Sequence, residues 1–338
     1  MPAYITGSGS FLPARTVSNH EIAPTLGLDP AQIQKSSGIL SRHWADKGTT
    51  TSSLAAEALN AAIADAGVAK EGIDYLILGT MTPDRFIPGS APAVQKSVGL
   101  REIPCLDIRA ACCNALYALH LAKALIESGA ASNVAICLAE IQSAWLDMSP
   151  ASGTTSMLFG DGASALVVSS EQRTLSLEIV DIVLGTDGSY VDDLGIRCPG
   201  TEFGNTNTGD PTVEEIDYLP RMVGQSVILQ ASRKMVAVCN EALKRNGLDV
   251  NSVRWIVPHQ ANANLLQQVA RALKFPADSD GLISVLADSG NTSSASMGIA
   301  LDSLRRSERV QSGDYLLLPA FAAGFTWGAG ICRAVQPS

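Results

Sequence analysis

The chain contains few charged and few aromatic residues for a length of 338. Only 17% of the residues are Asp, Glu, Lys or Arg and only 5% are aromatic, whereas 46% are hydrophobic. Lys and Arg total 24 against 33 Asp and Glu, which gives a formal net charge of −9. This acidic excess disfavours binding to nucleic acid or to an anionic membrane surface. The composition is typical of a compact α/β protein with a large core.

The sequence also lacks the signals of export, membrane insertion and metal binding. No hydrophobic run approaches the roughly 20 residues that cross a bilayer. Residues 1–11 lack the charged start and the apolar core of a signal peptide. The seven cysteines are scattered, with no CxxC pair and no Cys/His cluster at zinc-binding spacing. We therefore predict a soluble cytoplasmic protein with reduced thiols and no metal.

Hydrophobic runs of strand character alternate with helical stretches rich in Ala and Leu along most of the chain. This order predicts parallel strand pairing, with helices on both faces of a sheet. The order occurs twice, in residues 1–170 and 171–338, which indicates two related halves. Residues 16–50 and 185–220 are irregular, and each is predicted to be either a cover over a site or a solvated loop.

Three polar stretches lie where predicted strands lead into helices. Cys112 precedes the helix predicted for residues 114–128, so unpaired N–H groups and the helix dipole should favour its thiolate form. His259 follows a predicted strand, and Asn291 opens a loop of small residues before another helix. Such junctions are where α/β proteins place their sites. Taken singly, each of these residues is as typical of a structural role, in packing or in helix capping, as of a catalytic role.

Five motifs together resemble those of a known family. They are DIRAAC ending at Cys112, PHQAN around His259, GNTSSAS around Asn291, FGDGASA at 159–165 and GFTWGAG at 324–330. Their order and spacing resemble the β-ketoacyl-[acyl-carrier-protein] synthase III group of the thiolase superfamily over nearly the whole chain. The resemblance implies a five-layered αβαβα fold of two related halves, normally a homodimer. It also implies a Cys–His–Asn site at the junction of the halves and no cofactor beyond the thioester substrates.

The resemblance further implies a chemical role for each matching residue. Cys112 would accept an acyl group from a thioester, with Cys113 as a structural neighbour. The backbone N–H groups of Cys112 and Ala323 would bind the oxyanion. His259 and Asn291 would stabilise the enolate that forms when a malonyl-type thioester loses CO2. That carbanion would then attack the acylated cysteine to give a β-ketoacyl product.

The substrate-binding residues are matched less well. Ile87, Met157, Phe159 and Asn264 are candidates for the pocket, with Ile87 on a loop that in the family reaches the neighbouring subunit. Where the family commonly places a Trp and several cations against coenzyme A or an acyl carrier protein, this chain has five uncharged residues: Gln32, Ser36, Ser152, Leu229 and Asn264. The cations that could replace them are Lys35, Arg42 and Arg85. Delivery of the acyl group by coenzyme A or by a carrier protein therefore stays open.

These departures indicate a specialised homologue, and three functions are weighed. The first is decarboxylative condensation in fatty-acid-like or secondary-metabolite biosynthesis. The second is acyl transfer without decarboxylation to form an ester, an amide or a C–C bond, with His259 as general base. The third is a non-catalytic partner subunit of a heterodimeric synthase. The complete set of Cys112, His259 and Asn291 argues against the third, and Asn291 favours the first.

Overall fold

The computed structural model describes residues 1–203, 218–276 and 280–337, and these residues form thirteen strands and ten α-helices. The strands are β1 (Tyr4–Phe11), β2 (Arg15–Ser18), β3 (Ser41–Trp44), β4 (Tyr75–Gly79), β5 (Cys105–Ile108), β6 (Asn133–Glu140), β7 (Gly162–Ser169), β8 (Ser176–Thr186), β9 (Leu194–Gly195), β10 (Arg221–Met222), β11 (Val253–Ile256), β12 (Tyr315–Ala322) and β13 (Thr326–Val335). The helices are α1 (Asn19–Leu26), α2 (Pro30–Ser37), α3 (Thr51–Ala66), α4 (Ala91–Val98), α5 (Asn114–Glu127), α6 (Gly153–Ser156), α7 (Gly224–Arg245), α8 (Ala263–Ala272), α9 (Leu286–Ser289) and α10 (Ser296–Arg306).

Nine strands form one mixed sheet in the order β11-β12-β13-β8-β1-β7-β6-β4-β5. Only β4–β5, β4–β6 and β11–β12 pair in parallel, and the other neighbours are antiparallel. The prediction of parallel pairing is therefore wrong for most of the sheet. One physical reason is visible at β12 and β13, which a short turn joins, because a short turn reverses the chain and a parallel pair needs a crossover.

The helices form three layers that are separated by the two parts of this sheet. Helices α3 and α4 share a core with one face of β1, β4, β6 and β7, which includes Leu76. Helices α5 and α10 pack on the opposite face, at Ile77, and also on one face of the second part, at Leu318. Helices α7 and α8 cover the last face, at Leu317. Since adjacent residues of a strand point to opposite faces, these contacts confirm the predicted five-layered αβαβα fold.

The segment at residues 16–50 is more regular than predicted. Strands β2 and β3 form an antiparallel pair that is connected through α1 and α2, and the side chains of Ser18 and Asp29 accept hydrogen bonds from the first turns of these helices. Both helices end at glycines in the left-handed region, Gly27 with φ 65° and Gly38 with φ 80°. The four elements are at most eight residues long, which is too short for a clear periodic pattern.

The predicted boundary between residues 170 and 171 falls between β7 and β8, and the division into two domains stays a prediction. The second irregular segment, residues 185–220, lies partly outside the described residues, since these do not include 204–217. Its described parts contain the short strand β9 and turns of 3-10 helix. Among the described residues, no helix combines the length and the hydropathy required to span a membrane.

Candidate active site

Cys112 lies in a tight turn between the end of β5 and the start of α5. Ala111 to Cys113 form one turn of 3-10 helix, and Ala111 has φ 48°, a left-handed conformation that costs energy for a residue with a side chain. The Asn114 side chain accepts a hydrogen bond from the N–H of Ala110 at 2.6 Å, which closes the turn. Cys112 is half-buried, whereas Cys113 is fully buried with its Sγ 3.6 Å from the carbonyl of Thr326. Cys113 therefore occupies the core, and Cys112 occupies the site.

Asn291 is held by backbone hydrogen bonds to the segment that precedes β7. Its N–H donates to the carbonyl of Leu158 at 2.8 Å, and its carbonyl accepts from the N–H of Gly160 at 3.1 Å. Gly290 has φ 63°, and a Cβ there would lie 2.9 Å from the Cβ of Arg42. Only glycine fits such a crowded left-handed position. The Gly-Asn pair of the motif is thus required by the backbone.

Ser293 contacts all three residues that the sequence selected. Its Oγ lies 3.4 Å from the Sγ of Cys112. Its N–H donates to Oδ1 of Asn291 at 2.9 Å, and its backbone hydrogen-bonds to the ring of His259. The structure therefore brings Cys112, His259 and Asn291 together around one serine. Sequence reasoning missed Ser293 because the GNTSSAS motif contains several serines, and only the fold shows which of them faces the sulfur.

The hydrogen bonds of His259 favour one neutral tautomer of its imidazole. Nδ1 lies 2.7 Å from Oγ of Ser296, and that hydroxyl already accepts the N–H of Gln260 at 3.0 Å. Its hydrogen is thus free to point at Nδ1, which leaves the ring proton on Nε2. Burial lowers the pKa of His259 to about 4, although the hydrogen bond to Ser293 opposes this shift. The ring is therefore neutral near pH 7, and its single N–H is the one hydrogen-bond donor that it has.

The side-chain amide of Asn291 is oriented in a similar way. Its Oδ1 is occupied by the N–H of Ser293, while its Nδ2 has no acceptor among the residues that the structure describes. The amide therefore presents N–H groups to the site. Both Asn291 and His259 are thus uncharged, and both contact Ser293.

The charge state of Cys112 differs from the sequence-based expectation. Burial raises the pKa of its thiol to about 11; the hydrogen bond from Ser293 lowers the pKa, and the charge of Glu140 raises it. The prediction that the helix start favours the thiolate is wrong for this protein as it stands, because desolvation of the sulfur outweighs the polar contacts. The backbone N–H groups of Cys112 and Ala323 stay the predicted oxyanion groups, and the geometry is compatible with this role. Strand β12 packs against the Cys112 turn, and Ala323 directly follows β12.

Glu140 is a second feature that the sequence did not reveal. It is completely buried at the end of β6, and no cation pairs with it in the described part of the chain. Its carboxyl group accepts hydrogen bonds from Oγ of Ser294 at 2.6 Å, Oγ1 of Thr82 at 3.0 Å and the N–H of Met81 at 3.1 Å. Burial raises its pKa to about 7 and these hydrogen bonds oppose the shift. Glu140 thereby joins the Asn291 loop to the first half of the chain.

Of the four pocket candidates, Phe159 is adjacent to the site, because it forms a backbone bridge with Asn291. Met157 is buried in a separate small core with residues of α1 and α2. Ile87 is 78% exposed, so it does not line a pocket within its own chain. Asn264 is exposed, and its Nδ2 donates to the carbonyls of Lys35 at 3.2 Å and Ser36 at 2.9 Å. The pocket role of Met157, and of Ile87 in the neighbouring subunit, stays a prediction, while Asn264 joins α8 to α2.

The three replacement cations differ in their surroundings. Lys35 and Arg85 are exposed. Arg42 is completely buried, and its guanidinium donates to the carbonyls of Val17 and Met157 and to Oδ1 of Asn19. Burial lowers its pKa to about 10. Arg42 is thus a structural cation and cannot reach a phosphate or a carrier protein, so that expectation is wrong.

The other positions, where the family commonly has a Trp or a cation, carry no charge in this chain. They cannot replace the missing contacts to coenzyme A or to a carrier protein. Gln32, Ser36 and Leu229 are exposed, and Ser152 is half-buried with a hydrogen bond to Asp147. Within the described residues, no group of three or more His, Cys, Asp and Glu side chains could hold a metal ion.

Comparison with known proteins places this site in a family. The model for 3-oxoacyl-[acyl-carrier-protein (ACP)] synthase III matches residues 106–188, and the model for the C-terminal part of that synthase matches residues 243–334. The β-ketoacyl-[acyl-carrier-protein] synthase III of Rhodospirillum rubrum is 40% identical over 333 residues, which cover 97% of this chain and 98% of that protein. The chain belongs to the β-ketoacyl-[acyl-carrier-protein] synthase III family. It is accordingly an acyltransferase of the condensing type.

Solved structures agree with this assignment. The 3-oxoacyl-[acyl-carrier-protein] synthase III from Aquifex aeolicus VF5 has a TM-score of 0.88 at 30% identity, over 98% of this chain and 99% of that one. The priming β-ketosynthase from the R1128 polyketide biosynthetic pathway has a TM-score of 0.87 at 30% identity, over 99% and 97% of the two chains. Cys112 lies in the first matched segment, and His259 and Asn291 lie in the second.

Proposed function

We propose that this synthase III family member condenses an acyl group, carried as a thioester on Cys112, with a malonyl-type thioester. The observation that carries the proposal is that Ser293 contacts the sulfur of Cys112, Oδ1 of Asn291 and the ring of His259, which places a neutral imidazole and a neutral amide around the nucleophile. The names of the relatives, which are β-ketoacyl-[acyl-carrier-protein] synthases, support the same reaction. The malonyl unit would accordingly arrive on an acyl carrier protein.

In the first step, Sγ of Cys112 attacks the carbonyl carbon of the acyl thioester. The new S–C bond forms while the bond to the donor sulfur breaks, and the thiol proton leaves with the donor thiol. Two backbone N–H groups, of Cys112 and Ala323, would hold the negative oxygen of the tetrahedral intermediate. A sulfur nucleophile suits this exchange of one thioester for another.

In the second step, the malonyl carboxylate is lost as CO2 and the electron pair stays on the thioester as an enolate. His259 and Asn291 would donate hydrogen bonds to the enolate oxygen, where negative charge develops. The carbanion attacks the acyl carbon, Cys112 departs as a thiolate that takes up a proton, and a β-ketoacyl thioester is released. Uncharged donors suit this step, since they stabilise the anion by hydrogen bonds and are too weakly acidic to protonate its carbon.

The alternative without decarboxylation requires a general base to activate an alcohol or an amine. A histidine with a pKa of about 4 is a weak base near pH 7. The donor pair would also have no enolate to stabilise. Condensation is therefore the function that the site supports better.

The acyl donor is proposed to be other than the one that a housekeeping enzyme uses. The positions of weak match are uncharged, and Asn264 is occupied by the carbonyls of Lys35 and Ser36. Each missing charge-assisted contact would weaken coenzyme A or carrier binding by about 1.5–3 kcal/mol. The similarity to a priming β-ketosynthase of a polyketide pathway is in keeping with such a specialised donor.

We also propose that the enzyme is a homodimer. Phe86 and Ile87 are 79% and 78% exposed at the tip of one loop, and β5, which has Leu106 exposed, is an edge strand of the sheet. Exposed aromatic and aliphatic side chains beside an open strand edge are typical of an interface. Ile87 would then lie against the partner subunit and could take the predicted place in its pocket.

Intact-protein mass spectrometry with a panel of acyl thioesters tests the chemistry. We expect an adduct in the natural protein and in Cys113→Ala, but none in Cys112→Ala. With malonyl thioester added, CO2 release should fall by about 100-fold in Asn291→Ala, as for loss of an oxyanion donor, while the Cys112 adduct persists. An adduct in Cys112→Ala would refute the nucleophile. Transfer of the acyl group to an alcohol or amine without CO2 release would establish the alternative instead.

A further inference from the structure

We propose that the hydroxyl of Ser293 is a catalytic group, which donates a hydrogen bond to the sulfur of Cys112 whenever that sulfur is anionic. The inference rests on the proposed function only in taking Cys112 as the nucleophile. Ser293 Oγ, at 3.4 Å, is the side-chain group in hydrogen-bond contact with Sγ among the described residues. In the neutral pair either atom can donate, but a thiolate can only accept, so the hydroxyl then must be the donor.

The loop is built so that this hydroxyl alone faces the sulfur. Ser294 Oγ is directed to Glu140 at 2.6 Å, and Ser296 Oγ is directed to His259 at 2.7 Å. Ser293 itself has φ 50°, a strained left-handed conformation, and its N–H is bound to Asn291. The strained backbone fixes the direction of the side chain, and this direction leads to Cys112.

The surroundings of the sulfur make such a donor necessary. Burial opposes the anion, and the titratable group that acts on it, Glu140, adds negative charge rather than positive charge when ionised. His259 reaches the same serine through the backbone and is neutral near pH 7. A hydrogen bond from Ser293 is the one side-chain contact of Cys112 that lowers its pKa.

The donor acts at two points of the proposed reaction. As Sγ loses its proton and attacks the acyl donor, the hydroxyl stabilises the developing thiolate. When the carbanion later attacks the acyl carbon, the S–C bond breaks and Cys112 leaves as the same thiolate. The hydroxyl keeps its own proton in both steps, so no further reactant is needed.

The test is the pH dependence of alkylation of Cys112 by iodoacetamide, followed on the Cys112 peptide by mass spectrometry. Ser293→Ala removes the hydroxyl, and we expect alkylation at pH 7.5 to slow about tenfold and its midpoint to rise by about one pH unit, the loss of a hydrogen bond to a charged group. Ser293→Gly removes the same hydroxyl but relieves the left-handed strain, so it should fold at least as well and show the same shift.

Thr292→Val is the matched control on the same loop. Thr292 is completely buried and its Oγ1 has no hydrogen-bond partner in the described residues, so its removal should leave the profile unchanged. An unchanged profile in either serine variant, or an equal shift in Thr292→Val, overturns the proposal. Because alkylation needs no thioester, a shift of the profile in a protein that takes no acyl group would refute the proposed function, and with it the catalytic role of Ser293, while still showing the hydrogen bond from Ser293 to the anionic sulfur of Cys112.

Discussion

Two buried groups beside the site should make opposite contributions to stability as the pH changes. Burial raises the pKa of Glu140 from 4.5 to about 7 and lowers the pKa of His259 from 6.5 to about 4. Glu140 binds its proton more tightly in the folded state, so its contribution is complete below pH 4.5 and is lost as the pH rises through 7. His259 binds its proton less tightly when folded, so its contribution is lost below pH 4 and is complete above 6.5.

Each of these shifts corresponds to about 3 kcal/mol in the free energy of unfolding. The two windows overlap between pH 4.5 and 6.5, so the contributions nearly cancel in the natural protein. Glu140→Gln removes the contribution that decreases with pH. Between pH 4.5 and 7 the free energy of unfolding of this variant should therefore rise by about 3 kcal/mol relative to that of the natural protein. Between pH 4 and 6.5 the free energy of unfolding of His259→Asn should fall by a similar amount relative to that of the natural protein. Glutamine fits position 140 because the hydroxyls of Thr82 and Ser294 face different oxygens of the carboxyl group: one hydroxyl can rotate to accept from the amide nitrogen, while the other still donates to the amide oxygen.

Urea unfolding, followed by tryptophan fluorescence at one fixed protein concentration, measures these differences at pH 4.5, 5.5, 6.5 and 7.5. Glu57→Gln is the control, since Glu57 is an exposed carboxylate on α3, and its curve should run parallel to that of the natural protein. A Glu140→Gln curve that also runs parallel would refute the assignment of a raised pKa to Glu140. If Glu140→Gln and His259→Asn changed the free energy of unfolding in the same direction, the argument that the two groups make opposite contributions would be refuted.

Two further predictions follow from other buried and exposed groups. Arg42→Met should lower the free energy of unfolding by about 3 kcal/mol, because the buried acceptors on Val17, Asn19 and Met157 lose their donor. Arg85→Met, at an exposed position, is the control and should change the free energy of unfolding little. Equal effects of the two substitutions in urea unfolding would contradict the argument. Phe86→Asp should shift the protein towards monomer in light scattering coupled to size exclusion, since a charge at the proposed interface would be buried. Leu229→Asp, at an exposed apolar residue on α7, is the control, and an unchanged dimer in Phe86→Asp would count against that interface.

The five layers of the fold were implied by the resemblance of five motifs to a known family, whereas the alternation of strands and helices predicted only helices on both faces of a sheet. Helix α5, which was predicted for residues 114–128, extends over Asn114–Glu127. The pairing directions were predicted poorly, since alternation of strands and helices says nothing about turns that reverse the chain. Helices α1 and α2 were missed because two turns of helix are too short to show a period.

The site was predicted in its residues but not in its electrostatics. Cys112, His259 and Asn291 occur in motifs, and motifs are local in sequence. The contact of Ser293 with Cys112 joins positions 181 residues apart, and the charge state of the sulfur depends on burial by several elements. The expectation of a low thiol pKa considered only the helix start and could not include the desolvation that the whole fold produces.

The neutrality of the site suits the chemistry that we propose for it. A buried thiolate–imidazolium pair would carry a large desolvation cost, whereas a neutral thiol and a neutral imidazole avoid it. The enolate formed from a malonyl thioester is the charged species that such a site must hold, and neutral groups fixed by Ser293 and Ser296 can hold it without protonating it. Activation of Cys112 then has to occur at the moment of attack, from groups that already point at the sulfur. Ser293 is placed for that task, and its strained backbone is the structural cost of placing it there.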